Sequence, residues 1–206
     1  MRKVLPIMLS ADWIVPVTVF ALAAAATPGP NNVMLTASGV NFGFRLTIPH
    51  MLGIAVGFAV MNLCVGVGLG EVFERYPALH LGLKYVSIAY LLFLAWKIAN
   101  AGKTDDGKAR GKPFTFLQAA AFQWVNPKAW AIAIGAVATF TTVNGDLLVE
   151  VLAMSAIFFL VTIPSASMWA YFGTVIGRVL KTPKRIAVFN WSMAVLLVAS
   201  LIPAAV

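Results

Sequence analysis

The sequence predicts an all-α, polytopic membrane protein. Its six transmembrane helices form two inverted three-helix repeats, and the first helix of each repeat is broken. Three observations carry this. Hydrophobic residues make up 61% of the 206-residue chain and charged ones 11%, whereas soluble domains run near ~45–50% apolar and ~25% charged. Six long runs with almost no charge follow one another, and six helices of about 20 residues would use about 120 residues. The opening run of each half is too long for one straight span and is interrupted by proline.

The first run, residues 13–44, holds 32 uncharged residues. A straight helix of that length would reach about 48 Å against a hydrocarbon core of about 30 Å. Thr27, Pro28, Gly29 and Pro30 interrupt it, because each proline lacks an amide donor and clashes with the preceding turn. The second run, 46–70, is uncharged for 25 residues and spaces Gly53 and Gly57 as a small-residue pair. Such glycines let helices approach closely, within one subunit or in a homodimer. The third, 79–99, carries Lys84 and Lys97 near its ends, where lysine stems can snorkel to the interface. The fourth, 113–145, has Lys128 as its one charge and is broken at Asn126 and Pro127. The fifth, 151–177, contains Pro164, and the sixth, 186–206, closes the chain. Trp13, Trp96, Trp124 and Trp191 fall near the ends of runs, where tryptophan anchors helices at the membrane interface.

The halves match at an offset close to 100 residues, with Pro28 and Pro127 in corresponding positions. Three spans per half make the second half enter from the opposite side. The expected division is therefore a first repeat at 1–100, a basic cytoplasmic linker at 101–113 and a second repeat at 114–206. The first, third and fifth loops hold nine lysines and arginines, while the opposite face holds three. That bias places both termini outside the cytoplasm, although Arg2 and Lys3 ahead of the first helix argue for the reverse orientation. Residues 1–26 mimic a secretory signal peptide in their basic start and small-residue triplets. Cleavage is not expected, since the apolar run continues past them and its loss would destroy the match between halves.

A broken helix frees backbone groups that lipid cannot satisfy, so the break must face protein or a water-filled cavity. The expected substrate site is accordingly Thr27, Pro28, Gly29, Pro30, Asn31 and Asn32 from the first break, with Asn126, Pro127 and Lys128 from the second. A restarting helix offers its positive end to a carboxylate, and freed carbonyls can receive an ammonium. Lys128 either meets the substrate carboxylate or snorkels from an interfacial half-helix. His50 is the candidate proton carrier; Asp12, Asp146 and Glu150 near span edges, or the substrate itself, are the alternatives.

Several classes are excluded. The longest polar stretch is the dozen residues 101–112, too short for a soluble catalytic domain. Cys64 is the single cysteine and His50 and His80 the two histidines, so no metal site or cofactor is implied. The basic residues lie in short loops, which points to topology rather than nucleic acid. A membrane-embedded enzyme using Ser38 and His50 lacks a visible orienting group, and a channel or structural subunit would need only packing glycines and basic loops.

Thr-Pro-Gly-Pro-Asn-Asn at 27–32, Asn-Phe-Gly-Phe-Arg at 41–45, His-Met-Leu-Gly-Ile-Ala-Val-Gly at 50–57, Ala-Tyr-Leu-Leu-Phe-Leu-Ala-Trp-Lys at 89–97 and Trp-Val-Asn-Pro-Lys-Ala at 124–129 together resemble the LysE/RhtB family of bacterial amino-acid exporters. The resemblance covers nearly the whole chain and is vague in the last third. It implies export of amino acids across the bacterial inner membrane by exchange with protons. Many members carry an aspartate directly after Pro-Gly-Pro, where this chain has Asn31, and that departure argues against cationic substrates. The wording at 27–32 and 89–97 is similar to the branch exporting cysteine and O-acetylserine; threonine, homoserine and its lactone remain open.

Overall fold

The computed structural model describes residues 10–70, 75–103, 109–142, 145–180 and 182–200. Each apolar run contains helix. The first is filled by α1 (Ala11–Ala26) and α2 (Pro30–Phe42), the second by α3 (Phe44–Cys64), the third by α4 (Pro77–Ala99), the fourth by α5 (Phe116–Gln123) and α6 (Pro127–Phe140), the fifth by α7 (Leu147–Val179) and the sixth by α8 (Pro183–Ala199). In the polar segment, β1 (Gly102–Lys103) pairs antiparallel with β2 (Ala109–Arg110) to close a hairpin, a minimal exception to the all-α class.

The π-helical turn Val65–Leu69 continues α3, and together they give 26 residues containing an 18-residue stretch of mean hydropathy 2.1; α7 gives 33 residues with such a stretch at 2.3. Both are long and apolar enough to cross a bilayer, and α1 with α2, bent by 56° at the break, are so only as a pair, as a broken span or a re-entrant loop. Among the described residues α8 has 17 and α5 and α6 have 8 and 14, short of that length; α4, 23 residues long, holds Lys84 and Lys97.

The sequence starts helices by two devices. Proline stands first in α2, α4, α6 and α8, where its missing N–H has no helical partner to lose. Side chains cap others: Asn126 Oδ1 accepts from the Lys128 amide at 3.2 Å, and Asp146 Oδ1 accepts from the Val149 amide at 3.2 Å. Thr115 and Gln118 form a reciprocal capping box at the start of α5. Between α2 and α3 the connection is Gly43 alone, at φ +79°, so Arg45, predicted in a loop, lies within the first turn of α3.

Glycines set which helices touch. A methyl at Gly57 would come within 2.6 Å of Ala120 Cα, and one at Gly53 within 2.8 Å of the Ala119 methyl. This pair therefore seats α5 on α3 within the chain. Gly39, Gly173 and Gly177 do the same between α2 and α7, where an added Cβ would overlap Ala170, Thr36 and Val40 backbone. Polar tethers hold the ends. Trp13 Nε1 donates to Phe140 O at 2.9 Å, joining the start of α1 to the end of α6. Asn41 and Asn190 exchange amide hydrogen bonds at 2.7 and 2.9 Å, and Asn190 also donates to Ala101 O. Trp96 and Trp191 are exposed as expected of anchors, whereas Trp124 turns inward, edge to face with Trp130.

Glu150, expected near a span edge, is buried in the first turn of α7. Its carboxylate accepts from the Thr142 amide at 2.9 Å and the Thr142 hydroxyl at 2.6 Å, fixing the end of α6 against α7. Glu150→Leu strands both donors and is expected to cost about 1–3 kcal/mol. Thermal unfolding in detergent checks this, with Glu150→Gln, which keeps one acceptor, losing less.

Candidate functional site

Both breaks occur where the prolines place them, between Ala26 and Pro30 and between Gln123 and Pro127. Pro164, by contrast, sits inside a continuous α7. The breaks lie against each other. A cavity of about 60 Å³ opens between them, room for a handful of water-sized groups. Gly29, Pro30, Asn31, Asn32, Asn126 and Lys128 line it, so six of the nine predicted site residues meet there. Thr27, Pro28 and Pro127 do not. The Thr27 hydroxyl folds back onto Ala23 O, and Pro127 serves as the first residue of α6. Thr27 and Pro28 act through their carbonyls instead.

A helix leaves its last carbonyls without intrahelical donors, and at the end of α1 side chains take them up. Asn32 Nδ2 donates to Ala25 O at 3.1 Å and to Thr27 O at 2.9 Å. Ser165 of α7 donates to Ala25 O at 3.0 Å. Lys128 Nζ reaches across from the second break to Thr27 O at 2.6 Å and Pro28 O at 3.4 Å. Its ammonium is therefore hydrogen-bonded within the site rather than reaching away from it. Gly29 makes room for it, since a methyl there would stand 2.8 Å from Lys128 Cδ and 3.1 Å from Nζ.

A second bridge joins the breaks. Asn31 Nδ2 donates to Gln123 Oε1 at 2.9 Å and Gln123 Nε2 returns a bond to Asn31 Oδ1 at 3.1 Å; Gln123 Nε2 also donates to Ala119 O at 2.9 Å. Gln123, Thr162 and Ser165 were missed by sequence reasoning. The available signals were one amide closing an apolar half-helix, and hydroxyls flanking Pro164 in an otherwise uncharged run.

The rest of the wall is apolar. Ala21, Leu35, Ile54, Phe58, Ile132 and Phe158 line it, and the Phe58 and Phe158 rings meet edge to face at 5.0 Å. Among the described residues Lys128 is the only charged side chain on the lining, which includes no carboxylate. An ammonium, backbone carbonyls and amide groups above a small apolar floor suit a zwitterion with a short uncharged side chain.

His50 stands apart from this cavity. It is fully buried, with Nδ1 3.3 Å from Ser38 Oγ, its ring 5.0 Å from that of Phe114, and Nε2 without a partner. Ser38 and Asn41 line a separate hollow of about 20 Å³ with Lys97 and Lys112. Lys97 does not snorkel outward; it lies 4.2 Å above Phe114 and donates to Gln118 Oε1 at 3.2 Å.

The chain is similar to known proteins over most of its length. The profile of the LysE type translocator family matches residues 22–200. Several related chains bear the name cysteine/O-acetylserine efflux protein. One from Shigella flexneri is 33% identical over 177 residues, covering 85% of this chain and 87% of its own length. One from Escherichia coli is 32% identical with the same coverage, and one from Salmonella typhi is 34% identical over 174 residues, covering 84% and 86%. No solved structure matches the chain.

Proposed function

The chain belongs to the LysE type translocator family, a family of transporters rather than enzymes, and from that premise we propose that it exports small neutral amino acids from the bacterial cytoplasm. Cysteine and O-acetylserine are the first candidates, threonine and homoserine the next, and the inner membrane is the setting. The observation that carries this is the convergence of Lys128, Asn31 and Asn32 on one cavity between two broken helices, with no carboxylate among the described residues of its wall. The Lys128 ammonium suits a substrate carboxylate and the carbonyls closing α1 suit its ammonium. A substrate with a second positive charge would find no counter-charge there.

The carrier reading rests on six spans in two inverted repeats, 1–100 and 114–206, joined by the basic linker 101–113. Helix packing supports it. Exchanging the halves swaps α1 and α2 with α5 and α6, α3 with α7, and α4 with α8. The α3–α7 and α4–α8 packings then map onto themselves and α3–α5 onto α7–α1, and these are present, whereas the α2–α3 and α2–α8 packings have no counterpart of like extent among the described residues. Alternating access follows from rocking one repeat against the other around the paired breaks. With both termini outside, the basic loops face the cytoplasm. Export is coupled to proton entry, with His50, buried against α2, as the carrier and Glu150 as the alternative.

Labelled uptake into inverted membrane vesicles tests the reading. Vesicles containing the protein are expected to take up cysteine or O-acetylserine saturably, faster with a pH gradient, and to leave lysine outside. A flat response across threonine, homoserine, cysteine, O-acetylserine and leucine, with folded protein present, refutes it.

A further inference from the structure

Lys128 does more at this site than offer a charge, because of where its ammonium already lies. A carbonyl oxygen has two lone pairs. Those of Thr27 O are both engaged, by Asn32 Nδ2 at 2.9 Å and Lys128 Nζ at 2.6 Å. Those of Ala25 O are engaged by Asn32 and Ser165. A second ammonium therefore cannot take Thr27 O or Ala25 O unless one of these donors leaves. Lys128 is the donor that can leave: its stem is flexible, whereas Asn32 and Ser165 are held on α2 and α7. Gly29 also lies against the seat: a methyl there would stand 2.8 Å from Lys128 Cδ and 3.1 Å from Nζ, so the flexible stem would have to move aside.

We propose that Lys128 and the substrate's ammonium share one seat, so that binding is a swap. The substrate carboxylate draws Lys128 off Thr27 and Pro28, and the substrate ammonium takes the carbonyls it vacates. This deepens the amino-acid reading above and rests on it. The swap keeps one positive charge on the α1 carbonyls throughout, so Thr27 O and Pro28 O have a cationic donor before and after the exchange. It also makes recognition conditional. A tethered ammonium competes at an effective concentration of about millimolar or higher, so an amine without a carboxylate has nothing with which to displace Lys128. Only a ligand carrying both groups at α-amino-acid spacing can move the lysine and fill its place.

Binding of labelled cysteine, O-acetylserine and ethanolamine to the purified full chain in detergent tests this. The wild type is expected to bind an amino acid and to bind ethanolamine at least tenfold more weakly. In Lys128→Met the order inverts: ethanolamine binding rises at least tenfold and amino-acid binding falls at least tenfold. Gly29→Ala retains the lysine but presses it from its seat, and is expected to admit ethanolamine as well; it carries the test should the methionine variant misfold. If both variants fold and neither gains ethanolamine binding while the wild type binds the amino acid, Lys128 is a plain carboxylate contact and the swap is wrong. If the wild type neither binds nor transports any amino acid in the vesicle panel, the underlying reading falls and the swap with it.

Discussion

Gly173→Val is expected to leave no recoverable folded protein. Gly173 sits where α7 crosses α2, and an added Cβ would overlap the Thr36 carbonyl, with Thr36 C at 2.9 Å and Cα at 3.0 Å. Side chains can rotate away from an intruding methyl, but the obstacle here is backbone. Two helices would have to separate along the most extensive packing surface in the molecule, which Gly39 and Gly177 also depend on. Overpacking costs about 1–3 kcal/mol where neighbours can adjust, so a branched residue against a fixed carbonyl should exceed the upper figure. In a bilayer the loss is not offset by hydrophobic gain, because lipid is as apolar as the interface it would replace. Gly135→Ala is the control. No atom lies within 4 Å of a Cβ there, and the change should stabilise α6 by about 0.5–1 kcal/mol through helix propensity. Monodisperse yield and thermal unfolding in detergent distinguish the two. A folded, normally stable Gly173→Val would show that the α2–α7 approach is looser than described.

The helices and their breaks were legible because they depend on local chemistry. A proline that cannot donate its N–H interrupts an apolar run whatever surrounds it, and Pro30 and Pro127 mark the restarts. What the sequence could not provide was who meets whom. Gly53 and Gly57 announce a close approach, but their spacing says nothing about α5 being the helix that approaches. Lys128 was legible as an expensive charge, yet its acceptors stand about 100 positions away, and only the folded chain brings Thr27 O to it. Gln123 carried no periodic signal at all. His50, the candidate proton carrier, is enclosed against Ser38 and Phe114, and its place in the run did not reveal this, since packing around α3 decides what reaches solvent.

That same limit makes the Asn31–Gln123 pair the most informative place to cut. Each amide satisfies the other across the two breaks, so the pair is either a brace or part of the machinery that handles substrate. Gln123→Leu leaves Asn31 without both partners and should cost about 1–3 kcal/mol of stability. Asn31→Leu strands Gln123 Oε1 and should cost a similar amount. Replacing both by leucine removes donors and acceptors together, which can be nearly neutral, so the double variant should regain most of the stability lost by either single one. Transport should not follow. Asn31 lines the cavity beside Lys128, and once its amide is gone no restored packing returns a polar group to that wall. Export by the double variant is therefore expected to stay at least tenfold below the wild type while its unfolding temperature recovers. Recovery of both together would make the pair a brace and move the substrate contact to Lys128 and Asn32 alone.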